Sequence, residues 1–188
     1  MQQQLFISYR HEGPPHSRAV RRLGERLRQA GIPVALDQFY LDDHPGGPDV
    51  GWPKWSEDCA NQSRCVLIIG SEGWFAAFDK IGSAGIGLGA STEADLFRQD
   101  LWDTQGHNRR IRLGFLSDVP SAMIPARLRS WHQFRLYPND DDLESLVRWA
   151  AECLDLVTSN CPRCAGRNRW PPSRRIWRTA PRRNGPLW

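Results

Sequence analysis

The segment Leu5-Phe6-Ile7-Ser8-Tyr9, followed at once by Arg10-His11-Glu12, decides the reading of the chain. A short apolar run next to polar residues reads as a strand buried on both faces, of the kind found in parallel sheets. The chain after it repeats one theme of apolar strand, polar loop and amphipathic helix. That alternation predicts a parallel sheet with the first strand at its centre. Ligands of such sheets gather at the carboxyl ends of the strands, where the strand order reverses. The residues after Tyr9 should therefore face those after the third strand, a glycine-rich loop leading into Glu93.

Working outward, Pro14-Pro15 should break the chain, and Ser17 is placed to cap a helix. Val20, Leu23, Leu27 and Ala30 recur at helical spacing, and Gly31 suits the stop. A second strand is expected over residues 32–37, and then a polar loop over 38–50, long enough to suggest function. Trp52-Pro53-Lys54-Trp55 opens a short helix, with Pro53 suited to the first turn. Cys65-Val66-Leu67-Ile68-Ile69-Gly70 is the most apolar run and the expected third strand. Trp74 and Phe75 anchor a turn or short helix, and a helix over about 91–103 turns Ala94, Phe97 and Leu101 inward. Strands are expected over 111–116 and 133–136. Asp140-Asp141-Asp142 then begin a helix running to about Val157, placing negative charge at its positive end. The expectation is an α/β, flavodoxin-like three-layer sandwich with a five-stranded, mainly parallel sheet over residues 1–158.

The formal net charge of +4 conceals two parts of opposite sign. No acidic residue follows Asp155, whereas eight arginines do: Arg163, Arg167, Arg169, Arg174, Arg175, Arg178, Arg182 and Arg183. Removing these 8 from 25 basic residues leaves 17 against 21 acidic ones, about −4 for the part that precedes them. Residues 159–188, rich in Arg, Trp and Pro, are expected to be a disordered basic tail, the one part with any weak pull toward nucleic acid. No apolar run approaches the ~20 residues that cross a bilayer, and Met1-Gln2-Gln3-Gln4 does not read as a secretory signal. Five cysteines, an odd number, favour a reducing cytoplasm over a disulfide framework. Cys161-Pro162-Arg163-Cys164 is half of a zinc knuckle without a second pair, and His44, His107 and His132 lack metal spacing, so no metal site is expected.

Several stretches taken in order narrow the class: Phe6-Ile7-Ser8-Tyr9, Leu27-Arg28-Gln29-Ala30-Gly31-Ile32, Ala35-Leu36-Asp37-Gln38, Gly51-Trp52-Pro53-Lys54-Trp55 and Val66-Leu67-Ile68-Ile69. Together they resemble the SEFIR family, relatives of TIR domains, over roughly residues 5–150. The resemblance implies an intracellular signalling domain that associates with other SEFIR or TIR-type domains as a homo-oligomer, often in immune or anti-phage pathways. Some TIR relatives also hydrolyse or cyclise NAD, with a glutamate on the helix after the third strand. Here Glu93 matches that position, with NAD a substrate and no permanently bound cofactor. The rival class is a non-catalytic adaptor.

The residues carry readings of their own. Glu93 can stabilise an oxocarbenium-like transition state, or simply complement a helix dipole. Gly85-Ile86-Gly87-Leu88-Gly89-Ala90 lies too far beyond its strand for a dinucleotide fingerprint, although amides near Gly87 and Gly89 can hold a phosphate. Ser8, Tyr9 and Arg10 end the first strand, where Arg10 suits a pyrophosphate, a partner's carboxylate or solvent. Asp42, Asp43 and Asp49 in the 40–51 loop suit a neighbouring molecule, and Trp52 reads as a packing anchor beside them.

Overall fold

The computed structural model describes residues 2–79, 97 and 108–156, all within a unit spanning Met1–Leu156. Five strands alternate with helices. β1 (Gln2–Ser8) leads to α1 (Pro14–Gln29) and β2 (Val34–Ala35); α2 (Asp37–Asp43) and α3 (Trp52–Gln62) precede β3 (Ser63–Ile69). After β3 come α4 (Glu72–Phe78), β4 (Ile111–Phe115), two short 3-10 turns, β5 (Gln133–Arg135) and α5 (Leu143–Cys153). Every pairing is parallel, and the strand order is β2-β1-β3-β4-β5. The fold is the expected flavodoxin-like α/β sandwich.

The centre of the sheet is β3, not β1 as the sequence suggested. Its residues Cys65 to Ile69 are fully buried, so the most apolar run takes the position with neighbours on both edges and both faces. β1 lies one place away, and the chain reverses direction across the sheet between these two strands. The switch point therefore falls where expected, at the carboxyl ends of β1 and β3.

Alternate residues of each inner strand feed two cores. On one face Leu5, Ile7, Cys65, Leu67 and Ile69 meet Val20, Leu23 and Leu27 of α1 and Leu146, Val147 and Ala150 of α5. On the other, Phe6, Val66 and Ile68 meet Ala60, Trp74, Phe75, Phe78 and Phe97. This division follows from the two-residue period of a strand.

Three local expectations change. Pro14 and Pro15 begin α1 instead of breaking the chain: they occupy its first turn, where no amide partner is needed. Gly13, at φ 94°, takes the cap position assigned to Ser17, whose amide already donates to the Gly13 carbonyl at 3.1 Å. β2 contracts to two residues, because Leu36 and Asp37 turn directly into α2. The polar stretch 38–50 hides that helix, since Phe39 alone of its side chains is fully buried. α5 forms as expected through Cys153, while Val157 lies outside the described residues. No described helix is long and apolar enough to cross a membrane.

Candidate functional site

Past Ser8 the chain stays extended, so successive side chains point alternately to two sides of the switch point. Ser8, Arg10 and Glu12 turn toward α4. The buried Ser8 hydroxyl accepts the Trp74 indole N–H at 3.2 Å, and Arg10 Nη1 donates to the Gly73 carbonyl at 2.7 Å. Glu12 Oε1 accepts from the Ser71 hydroxyl and from the Gly73 amide, each at 2.7 Å. Ser71 in turn caps α4 by accepting from the Trp74 amide at 3.3 Å. A carboxylate thus arrives from β1 to satisfy the amino end of α4, where donors lack intrahelical partners and negative charge is favoured. Gly73 is needed for this approach: a Cβ there would collide with Glu12 and sit 3.0 Å from Arg10 Cδ.

Tyr9 and His11 turn the other way, to the Asp37-Gln38 pair that opens α2. Tyr9 donates its hydroxyl to Asp37 Oδ2 at 3.2 Å and accepts from Gln38 Nε2 at 2.9 Å. Gln38 also donates to the Ser17 carbonyl of α1 at 3.0 Å. Burial first, and the Asp37 charge second, push the Tyr9 phenol well above its ordinary range, so it stays a neutral donor. The Leu36-Asp37-Gln38 motif thereby binds β1, α1 and α2 together.

His11 Nε2 lies 2.7 Å from Asp37 Oδ2, and this hydrogen bond holds the imidazole pKa above its usual 6.5. A charge favoured in the folded state contributes stability that is complete below the unfolded pKa and fades as pH rises through the folded one. His16, half-buried beneath the Tyr9 ring, is shifted down by burial and has the opposite sign. His11→Gln should therefore lower stability at about pH 5.5, by no more than about 1 kcal/mol for so exposed a pair, and change nothing at about pH 8.5. Urea titrations at the two pH values test this; an equal loss at both would mean the imidazole acts through packing alone.

A second surface lies at the β2 edge. Tyr40 stacks on His44 with ring centroids 4.3 Å apart and packs against Trp55 at 5.2 Å, while Trp52 stands edge-on to Trp55 at 5.5 Å. Leu41, Val50 and Trp52 are 41%, 61% and 37% exposed, which groups three large apolar side chains on one short stretch. Tyr40, Trp55, Asp43 and Asp58 line a cleft of about 370 Å³ between α2 and α3. Asp43 and Asp49 are exposed beside it. Asp42 is engaged within the molecule, taking both Arg21 guanidinium nitrogens at 2.7 and 3.2 Å.

The structure thus brings Ser8, Tyr9 and Arg10 to the switch point, where all three position α2 or α4. A nucleotide bound there would have to share or replace those contacts. Glu93, Gly87 and Gly89 lie outside the described residues, as does the segment beyond Leu156. Sequence reading missed Glu12, Ser71, Gly73, Asp37 and Gln38 as the partners of the first strand. A signal was present in Ser71-Glu72-Gly73-Trp74, a serine three residues ahead of the amide it caps.

A parallel 2-1-3-4-5 sheet whose switch point is closed by its own helix, with an acidic aromatic face at one edge, defines an α/β domain of the flavodoxin-like class. The chain belongs to the SEFIR family, whose domain matches residues 3–146. No curated protein gives a match.

Proposed function

We propose that this SEFIR domain signals by self-association, one copy's β2 edge meeting the β5 edge of the next. The observation that carries this reading is the exposed group Leu41, Val50 and Trp52 with Asp43 and Asp49 around it. The segments flanking β5 supply complementary chemistry: Arg127 and Arg129 are exposed, as are Met123 and Tyr137, at 41% and 54%. The α2–α3 cleft, with carboxylates and aromatic walls, suits a guanidinium from such a neighbour. Contact between unlike edges is heterologous and extends into rings or filaments, which fits a signal that spreads by recruitment.

Sedimentation velocity across a concentration series tests this. Trp52→Ala should weaken association by about 2 kcal/mol, roughly thirtyfold in Kd, as for a central aromatic anchor. Reversing Asp43 and Asp49 to lysine should weaken it further at low salt than at high salt. Variants that assemble like the parent would remove the β2 edge from the interface.

The finer form of the proposal adds NAD hydrolysis at Glu93, supported by the resemblance to catalytic TIR relatives. Assembled protein incubated with NAD should then release nicotinamide, and Glu93→Ala should abolish the release. Release that survives the substitution would exclude Glu93. Assembly without any release would leave an adaptor.

A further inference from the structure

The buried stripe of α1 runs along Val20, Leu23, Gly24 and Leu27. One helical turn before Val20 the same face carries His16, a titratable side chain in the position of a core residue. Its ring tilts against the Tyr9 ring at 6.1 Å. Its Nε2 is buried without a hydrogen-bond partner among the described residues.

A proton at that nitrogen would make a donor with nothing to accept it, a costly arrangement away from water. The surroundings oppose the charge as well. His16 is the third residue of α1, at the positive end of the helix, and the first turn contains no acidic residue. The titratable and charged groups around it, among the described residues, are Tyr9, His11 and Glu12 past the end of β1, and Asp37 of α2 beyond the Tyr9 hydroxyl. Glu12 favours a proton on His16, but its carboxylate is engaged by Ser71 and Gly73. His11 disfavours it and, bonded to Asp37, takes its own proton first. Burial is the largest effect and holds the His16 imidazole below its ordinary 6.5.

Little else fastens this turn. Gly13 precedes it at φ 94°, Pro14 and Pro15 lack amide hydrogens, and all three are exposed. Ser17 supplies the other ties, its amide donating to the Gly13 carbonyl at 3.1 Å and its carbonyl accepting from Gln38 Nε2 at 3.0 Å.

We propose that His16 is a proton-released latch: neutral, it packs the first turn of α1 against Tyr9, and protonated, it frees that turn and uncovers the Tyr9 side of the switch point. The closed turn favours the neutral ring. It is therefore fully held above the pKa of the free ring and loosens as pH falls below it, by up to about tenfold per pH unit.

Hydrogen exchange of the full chain, read as protection factors from about pH 7 down to about pH 5, tests this. Amides of residues 16–20 should lose protection with acid while those of β3 keep theirs. His16→Phe fills the stripe and takes no proton, so it should hold these amides protected over the same range. Opening that persists in the variant would place the trigger on Glu12 or Asp37 and overturn the proposal. Loss of β3 protection in step with α1 would overturn it too. The Cε1 proton of His16, followed by NMR in the unsubstituted protein, gives a reading that does not depend on how the variant folds. Titration below 6.5 supports the latch, and titration at or above 6.5 overturns it.

Discussion

Trp74→Ala should lower the unfolding free energy by about 3–5 kcal/mol, the range for emptying a buried tryptophan site. The indole is fully enclosed, stacked on Phe78 and Phe97 with centroids 5.6 and 6.4 Å away and edge-on to Phe75 at 6.0 Å. Its N–H is the donor that ties α4 to Ser8 of β1. Alanine therefore leaves a void among three rings and also removes a contact across the switch point. In a domain of this size that loss corresponds to a fall in Tm of about 8–15 °C. Trp74→Phe fills most of the space without the N–H and should recover the larger share. Urea denaturation of both variants measures the split. An alanine variant within about 1 kcal/mol of the parent would mean that the rings close over the gap.

Much of this architecture was legible because it rests on runs of apolar residues. Cys65 to Ile69 could hardly be anything but a buried strand, and Val20, Leu23 and Leu27 mark one face of one helix. The ranking of the strands was harder. Two buried strands look alike in sequence, both are paired on both edges, and β3 differs from β1 only in having two strands on either side of it. Helix α2 escaped notice since a helix at a sheet edge buries a single side chain, Phe39, and so leaves no period. The staple around Glu12 was illegible for a different reason. Its partners are 59 and 61 residues away in the chain, and a carboxylate that caps a distant helix has no local pattern. Arg10 and Ser8 lie at the switch point with backbone and indole as their partners, groups that sequence reading could not single out.

Gly70→Val should cost about 3 kcal/mol or more, the upper end of overpacking. Gly70 follows β3 and keeps its amide bonded to the Gly114 carbonyl at 2.9 Å, so the backbone cannot easily retreat. A Cβ at this position would lie 2.7 Å from Phe115 Cε1 and 2.8 Å from Phe75 Cζ, inside the contact distance of carbon atoms. Both rings belong to the core that α4 closes, and their centroids are 6.3 Å apart, so neither can move without the other. Alanine should cost less than valine, since it adds the clashing Cβ without the two further methyl groups that must also find room beside the rings. The residue after Gly70 is Ser71, the cap that Glu12 holds, so a shift at 70 pulls the amino end of α4 away from β1. Pairing Gly70→Val with Phe75→Leu isolates the steric cause. If the clash with Phe75 dominates, the double variant is more stable than the sum of the single losses predicts. Strict additivity would place the cost in the backbone of the switch point instead.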